Sequence, residues 1–514
     1  MRGFFKATLI VTIFSVITRA LGFVLRIVLS RNLGAQTLGA YQVAMSVLGV
    51  LMTLIASGIP LVVSRNVAYN CSNKNPNQAY STVSAGLIIT LVISITINII
   101  LFLFPSCLDF LSLEKQTTSI ILFALPSLIF SAVYAILRSS LWGNKHFFAI
   151  SFTEFFEQIV RIILCFVLFF TPILPGLSLG EKASLSLTIA CVLSCILVII
   201  IYFKCGHKLL SPKNYIKPVL KSSSSITTLR TISGLVSTLI SLIIPIRLMK
   251  AGYNSGEAMA QFGLVMGMAF PLIMIPGTLI GSVAVTLVPE ISSKTDDIDN
   301  ASRVHDLKGL KNNILLGVNV SILISTLLIP AFIVLGEPIC EILFRSKEAG
   351  KFVSAGAFLM LPLGINQITS SILNSIGLEL KSLINYAIGA AFLFASIFFL
   401  PKYIGTYSLI VGFFLMGLVS MSLNIRMLKK RDLIKKGYVQ FIIYSVVFAL
   451  FSALLGKLIY NLIIKIMSKF IATVLVGIIT IMTLILLYIC FDISFVKGII
   501  LSKIKKLKKR KIKT

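Results

Sequence analysis

Long apolar segments recur along the whole chain, and they restrict its fold more than any other feature of the sequence. Each holds roughly 20 residues, enough for a helix to cross the hydrocarbon core of a bilayer. Of the 514 residues, 57% are hydrophobic and 12% are charged, and no soluble core buries that much apolar surface. The sequence therefore predicts an all-α polytopic membrane protein of about 14 helices. These span residues 7–30, 40–63, 83–104, 118–137, 149–171, 184–203, 226–249, 259–288, 313–336, 352–373, 383–400, 408–425, 438–456 and 470–491.

The basic residues are unevenly distributed between the loops, and this predicts the orientation of the chain. The termini and the loops after even-numbered helices carry about 31 of the 47 Lys and Arg residues, whereas the other loops carry about 11. Positive loops stay in the cytoplasm, so we predict a multi-pass cell-membrane protein with both termini cytoplasmic. The net charge of +30 is then a topology signal. The basic tail is expected to meet anionic membrane lipids, and no nucleic acid is expected.

Two weak internal matches indicate a duplication. Residues 125–137 resemble 361–373, and residues 58–64 resemble 286–292. Both matches join helices of the same orientation, which is typical of parallel repeats in transporters. We predict the following division: an N-terminal lobe at 1–221, a C-terminal lobe at 222–437, a terminal helix pair at 438–491 and a basic cytoplasmic tail at 492–514.

Arg19 and Arg26 lie inside the first predicted helix, where a charge is costly. An arginine at mid-membrane costs about 2.5–3.5 kcal/mol on the translocon scale. The two arginines are about two helical turns apart, so they share one face. One interpretation is that this face lines a polar cavity and binds an anionic substrate. The alternative is that both side chains reach the interfaces, as we expect of Arg31.

The fifth helix carries the acidic residues that fall within the predicted spans. Glu157 precedes Arg161 by four residues, the favourable order for a helical ion pair, and this pair could be structural or could serve ion coupling. Glu154 has no evident cation on its own helix. It could be protonated, pair with an arginine of another helix or lie at the cytoplasmic interface. Arg247, near the outer end of the seventh helix, is a further candidate for the cavity.

Polar and helix-breaking residues mark the tenth and eighth helices. Asn366 and Gln367 belong to a polar stripe of the tenth helix, which could hydrogen-bond to a neighbouring helix or line the cavity. Pro271 and Pro276 interrupt the eighth helix, because proline removes a backbone donor and kinks a helix. The interruption could be a hinge for alternating access or a fixed kink.

Motifs of nucleotide hydrolysis and metal binding are absent from the sequence. It contains no GxxxxGK[ST] phosphate loop, no HExxH and no CxxC pair. The eight cysteines and three histidines form no cluster with metal-ligand spacing. We therefore expect no enzyme activity, no cofactor and no bound metal.

Three stretches of the sequence carry a family resemblance. They are Thr18-Arg19-Ala20-Leu21-Gly22-Phe23 with Ser30-Arg31-Asn32-Leu33-Gly34-Ala35, Leu38-Gly39-Ala40-Tyr41-Gln42 and Ser57-Gly58-Ile59-Pro60; Glu157-Gln158-Ile159-Val160-Arg161; and Arg247-Leu248 with Ala251-Gly252-Tyr253, Gly267-Met268-Ala269-Phe270-Pro271 and Val285-Thr286-Leu287-Val288-Pro289. In this order and spacing the chain resembles the stage V sporulation protein B (SpoVB) family. That family belongs to the multidrug/oligosaccharidyl-lipid/polysaccharide (MOP) flippase superfamily and is similar to lipid II flippases.

The resemblance implies a fourteen-helix flippase with two lobes that open alternately, and a pyrophosphate-bearing, lipid-linked sugar as its substrate. It implies for Arg19 the role of the first-helix arginine of lipid II flippases. The second arginine of that family falls one residue before Arg26, where this chain has Leu25. Those flippases carry another arginine near the end of the second helix. This chain has no counterpart there, and Arg247 would supply the missing charge.

The implied function is translocation of a lipid-linked oligosaccharide or peptidoglycan precursor by alternating access, in spore cortex or cell-envelope synthesis. The expected partners are this lipid-linked anionic sugar, membrane lipids and proteins of cell-envelope synthesis. Two alternatives stay open. One is a cation-coupled multidrug exporter of the same superfamily, which requires an acidic site for cationic drugs. The other is a membrane scaffold in sporulation that does not transport.

Overall fold

The computed structural model describes residues 2–73, 75–109, 115–295, 304–434 and 437–491. Within these ranges the chain consists of helices joined by turns and bends, with no β-strand. Twelve helical segments of the described chain are long and apolar enough to cross a membrane. The predicted all-α membrane fold is therefore confirmed. The chain divides into two compact units, unit 1 at Met1–Gly263 and unit 2 at Leu264–Thr514.

Unit 1 contains ten α-helices in its described part, and local sequence marks several of their starts. They are α1 (Arg2–Ala56), α2 (Ile59–Ser72), α3 (Pro76–Leu103), α4 (Ser106–Asp109), α5 (Lys115–Ala124), α6 (Pro126–Gly143), α7 (Phe147–Phe170), α8 (Leu179–Lys204), α9 (Ile216–Lys250) and α10 (Ser255–Phe262). Pro60 and Pro126 stand in the first turn of α2 and α6, where a missing N–H needs no partner. Ser178 and Glu181 form a capping box at the start of α8.

Ser178 lies in the run 176–180, which matches the GxSxG pattern of a hydrolase nucleophile. That nucleophile needs a strand before its turn, and the described chain contains no strand. The Ser178 hydroxyl instead accepts a hydrogen bond from the backbone N–H of Glu181 at 3.4 Å. The backbone N–H of Ser178 donates to Glu181 Oε2 at 2.7 Å. Ser178 therefore begins a helix here.

α1 changes direction at Gly34 and so forms two arms. Gly34 has φ 73° and ψ 168°, a conformation that glycine adopts without a Cβ clash. Gly22 in the first arm lies against Gln158 of α7, and Tyr41 in the second arm contacts Arg161 of the same helix. Gly22 and Tyr41 would be about 28 Å apart in a straight helix. Because they meet residues of α7 that lie less than one turn apart, the second arm folds back along the first.

The second arm of α1 approaches α10 at backbone distance. A Cβ on Gly39 would fall 2.0 Å from the carbonyl oxygen of Met259. A Cβ on Gly263 would fall 2.1 Å from the carbonyl oxygen of Ala35. In both places the neighbouring atom is backbone and cannot move aside as the end of a side chain can. These two glycines therefore allow the close packing of the second arm.

All fourteen predicted segments fall on helices, and two features explain the count of twelve among the described residues. The first two segments share one candidate span, Ile13–Ser72, because the helical hydrogen bonding continues past Gly34. The fifth segment is α7. It is not among the twelve candidate spans, because it carries three charged residues, Glu154, Glu157 and Arg161. The difference between fourteen predicted segments and twelve candidate spans therefore has two causes, one merged helix and one charged helix.

Unit 2 contains eleven α-helices in its described part. They are α11 (Phe270–Ile273), α12 (Ile275–Thr295), α13 (Val304–Leu327), α14 (Ile329–Phe344), α15 (Lys347–Gly356), α16 (Met360–Ser375), α17 (Glu379–Phe399), α18 (Pro401–Ile404), α19 (Tyr407–Lys430), α20 (Gly437–Ile463) and α21 (Lys469–Cys490). A π-helical segment, Gly263–Ala269, precedes α11, and a 3-10 turn, Ala357–Leu359, joins α15 to α16.

The helices of unit 2 pack in a continuous series. α16 contacts α12, α13 and α19, and α19 in turn contacts α17. α20 and α21, which overlap the predicted pair 438–491, pack against each other and against α13 and α14. The division into lobes at 1–221 and 222–437 stays a prediction. The predicted basic tail, 492–514, lies outside the described residues.

Candidate functional site

The first arm of α1 carries Arg19 and Arg26 on an exposed face of unit 1. Both side chains are exposed, whereas the neighbouring Leu25 is 4% exposed. Arg31, nearer to Gly34, is exposed as well. The structure thus brings Arg19 and Arg26 to one surface, separated by about two turns. Their binding of an anionic substrate stays a prediction.

Tyr41 and Arg161 meet in the interior of unit 1. Arg161 Nη2 donates a hydrogen bond to the Tyr41 hydroxyl oxygen at 2.6 Å, and Tyr41 is 3% exposed. Arg26 lies within electrostatic range of both groups. Polar side chains from both arms of α1 and from α7 therefore lie near one another. Tyr41 is not among the residues predicted from the sequence. The available signal is that a tyrosine in an apolar segment needs a partner for its hydroxyl group when it is buried.

The two glutamates of α7 have different surroundings. Glu154 forms an ion pair with Arg138 of α6, so its partner is an arginine of another helix. Glu157 lies within electrostatic range of Arg161, Glu154 and Arg138. Among the described residues, however, Glu157 forms no ion pair. Arg161 is bonded to Tyr41, and the role of Glu157 in ion coupling stays a prediction.

α9 carries two further arginines and runs antiparallel to the second arm of α1. Thr238 Oγ1 of α9 donates to the carbonyl oxygen of Ser46 at 2.8 Å, and Arg230 Nη1 donates to that of Ser57 at 3.2 Å. Arg247 is half-buried in the last turn of α9. Residue numbers fall along α9 as they rise along the second arm of α1. Arg247 therefore lies nearer to Gly34, where this arm begins, than to Ala56, where it ends.

Asn366 belongs to a hydrogen-bonded network inside unit 2. Asn424 Nδ2 of α19 donates to Asn366 Oδ1 at 3.0 Å and to Ser370 Oγ at 3.0 Å. Asn385 Nδ2 of α17 donates to Asn424 Oδ1 at 2.9 Å. Three helices are joined in this way, as expected for polar groups between membrane helices. A contact of Asn366 with substrate stays a prediction.

Gln367 and the two candidate hinge prolines lie near α12. Gln367 is exposed, and its amide atoms lie 3.1 Å from the positions that a Cβ would take on Gly277 and Gly281. Pro271 and Pro276 flank a turn at Met274, which separates α11 from α12. The eighth predicted helix is thus interrupted in the structure. Its role as a hinge and the role of Gln367 in substrate binding stay predictions.

Tyr41→Phe tests the contribution of the Arg161 hydrogen bond to stability. The substitution removes the acceptor and leaves a buried guanidinium donor without its partner, at a cost of about 1–3 kcal/mol. We expect the midpoint of thermal unfolding in detergent to fall by several degrees. Tyr69→Phe is the control, because Tyr69 is 69% exposed. Equal midpoints for both variants would show that this hydrogen bond contributes nothing.

The chain is similar to known proteins both in sequence and in structure. The model of the polysaccharide biosynthesis protein family matches residues 4–295. Stage V sporulation protein B of Bacillus subtilis is 24% identical over 399 residues, which cover 75% of this chain and 76% of the relative. The lipid II flippase MurJ, in an inward closed conformation, has a TM-score of 0.70 at 16% identity and covers 96% of this chain and 100% of its own. An inward-facing multidrug resistance MATE transporter of the MOP superfamily has a TM-score of 0.64 at 16% identity, covering 80% and 94%.

The two structural matches show that the chain has the fold shared by MurJ and the MATE transporter. The sequence match to the Bacillus subtilis protein confirms the predicted resemblance to the stage V sporulation protein B family. The family match extends over more than half of the 514 residues. The chain therefore belongs to the polysaccharide biosynthesis protein family.

Proposed function

We propose that the chain is a flippase that translocates a lipid-linked oligosaccharide or a peptidoglycan precursor by alternating access. The observation that carries the proposal is the pair of exposed arginines, Arg19 and Arg26, on one face of a helix within a candidate membrane span. Membership of the polysaccharide biosynthesis protein family supports it. So does the similarity to stage V sporulation protein B and to the lipid II flippase MurJ.

The charges of unit 1 favour an anionic substrate. Glu154 is already paired with Arg138, and Arg26 and Arg161 are like charges within electrostatic range of each other. A bound anion would offset the repulsion between these two arginines, which is larger where the surroundings are less polar than water. Arginine also binds phosphate oxygens through two parallel charge-assisted hydrogen bonds. A pyrophosphate attached to a lipid supplies such oxygens while its apolar tail remains in the bilayer.

Each unit carries further residues that we assign to substrate binding or to the transport cycle. In unit 1, Arg247 would add positive charge; in unit 2, Asn366 and Gln367 would offer amide groups to the sugar. Pro271 and Pro276 would serve as the hinge, since they flank the interruption before α12. No bond of the substrate changes in this cycle, so the protein would be a transporter and not an enzyme.

Glu157 is our candidate for ion coupling. It is the acid of α7 that forms no ion pair with a described residue, while it lies within electrostatic range of Arg161. A proton or cation bound at Glu157 would change the charge felt by the arginine cluster. We assign the activity to cell-envelope or spore-cortex synthesis, with both termini cytoplasmic and with proteins of that synthesis as partners.

Reconstitution in lipid vesicles tests the proposed function. The probe is a polyprenyl-pyrophosphate-linked sugar with a fluorescent label on the sugar, and the measurement is the fraction that a membrane-impermeant quencher reaches with time. We expect the protein to speed the exchange of this lipid between leaflets well above the rate in empty vesicles. A matched lipid that lacks the pyrophosphate should stay in its leaflet.

Two outcomes would overturn the flippase proposal. If the labelled lipid does not cross while a cationic dye is exported, the protein is a drug exporter, the function of the MATE transporter whose fold it shares. If neither molecule crosses, the protein does not transport, and a scaffold role in the membrane remains.

A further inference from the structure

A cavity of about 630 Å³ lies within unit 2. Residues of α14, α15, α20 and α21 line it, together with the short link between α20 and α21. One part of its wall is apolar and comes mainly from α14 and α20. The apolar lining residues include Ile333, Val334, Leu450, Ala453, Leu454 and Ile464.

The remaining wall of the cavity is charged, with more basic than acidic groups. Lys347, Lys457 and Lys469 line it, together with Glu337 and Glu341. Lys469 forms an ion pair with Glu341 across α14 and α21, so one acid is already neutralised. Lys347 lies within electrostatic range of the same Glu341, and Glu337 is the other acid of the wall. Lys469 is also the first residue of α21, and the N-terminal end of a helix favours an anion.

An unsatisfied donor lies in the same wall. The hydroxyl oxygen of Tyr460 is buried, yet it has no hydrogen-bond partner among the described residues. Tyr460 and Asn461 follow Lys457 by three and four residues, so all three share one face of α20. Buried polar groups are nearly always hydrogen-bonded. An oxygen atom of a bound ligand would satisfy the Tyr460 hydroxyl next to the Lys457 ammonium.

The apolar wall of the cavity and its position on a membrane span indicate that its ligand is partly apolar. The candidate span Gly309–Phe344, which contains α14, has 36 residues, while about 20 helical residues cross a bilayer core of about 30 Å. One end must therefore extend to the level of the lipid headgroups. The span carries charged residues near both ends, Lys311 at its start and Glu337 and Glu341 toward Phe344. The cavity thus combines a charged wall at headgroup level with an apolar wall.

We infer that this cavity binds a glycerophospholipid with an anionic phosphate headgroup, in the leaflet predicted to be extracytoplasmic. Lys347 and Lys457 bind the phosphate, the Tyr460 hydroxyl donates to one of its oxygens, and the acyl chains lie against the apolar residues of α14 and α20. This site does not depend on the proposed transport function. Its lipid is a bound partner and not the cargo.

The test measures lipid binding to the full-length protein in detergent. Native mass spectrometry counts bound lipids, and the shift of the thermal unfolding midpoint with added lipid gives the affinity. The probes are phosphatidylglycerol, diacylglycerol with the same acyl chains, and inorganic phosphate alone. We expect phosphatidylglycerol to bind and to raise the midpoint, and diacylglycerol and inorganic phosphate to have no comparable effect.

Lys457→Gln is expected to weaken phosphatidylglycerol binding about tenfold, because a hydrogen bond to a charged group is lost. Tyr460→Phe should weaken it by a smaller factor and keeps the size of the side chain. The control is Lys465→Gln, since Lys465 is exposed in the same link and is not part of the cavity wall. The proposal is overturned if Lys465→Gln weakens binding as much as Lys457→Gln does. It is also overturned if diacylglycerol binds as well as phosphatidylglycerol, or if inorganic phosphate displaces the lipid and stabilises the protein equally.

Discussion

Replacing Arg19 with alanine is expected to lower the rate of lipid translocation at least about tenfold while the protein remains folded. The lost charge-assisted hydrogen bonds are worth about 1.5–3 kcal/mol, and every 1.4 kcal/mol corresponds to a factor of about ten. Arg19 is exposed in unit 1, so its removal leaves no cavity in a packed core. The initial rate of exchange of the labelled lipid in vesicles measures the effect, and the thermal unfolding midpoint verifies the fold.

Two companion variants make the Arg19 result specific. Arg31→Ala removes an exposed arginine from the end of the same arm, and we expect it to transport at nearly the wild-type rate. Arg19→Lys keeps the charge but loses the planar fork of donors, so its rate should lie between those of the wild type and Arg19→Ala. A wild-type rate for Arg19→Ala would remove this residue from the substrate site.

Gly39→Ala is expected to cause the largest loss of stability. A Cβ at this position would lie 2.0 Å from the carbonyl oxygen of Met259, and backbone must move to admit it. Overpacking of a core typically costs about 1–3 kcal/mol, and more where backbone is involved. We expect a large fall in the thermal unfolding midpoint and in the yield of monodisperse protein on size-exclusion chromatography.

Gly49→Ala is the matched control on the same arm of α1. Apart from its chain neighbours and the nearby backbone of its own helix, no atom lies within 4 Å of the position that its Cβ would take. Alanine is also favoured over glycine inside a helix by about 1 kcal/mol. Gly49→Ala should therefore match or exceed the stability of the wild type. If Gly39→Ala is as stable as Gly49→Ala, then α1 and α10 do not approach each other as closely as described above.

The helices could be predicted from the sequence because membrane spans depend on local composition. Twenty apolar residues satisfy their own backbone hydrogen bonds as a helix whatever their neighbours are, so all fourteen segments fall on helices. The interruption at Pro271 and Pro276 was predictable for the same reason, since proline acts on its own helix. The fold-back at Gly34 was visible only as a short gap between two segments.

The partners of the polar groups could not be predicted, because they lie far apart in the sequence. The spacing of Glu157 and Arg161 predicts an ion pair within one helix. The hydrogen bond of Arg161 goes instead to Tyr41, 120 residues away. Glu154 pairs with Arg138, which lies just outside the predicted helix 118–137. Local spacing gives the face of a helix, while the choice of partner depends on which helices pack together.

The reversal at Gly34 also bears on how the chain enters the membrane during synthesis. The two arms of α1 are joined by a single non-helical residue. Because no loop separates them, we expect them to enter the bilayer as one helical hairpin. Arg26 is then inserted together with the tyrosine that lies within its electrostatic range, before α7 has been made. The newly made hairpin thus brings its own polar neighbour for this arginine, and Arg161 joins a site whose first half is already formed.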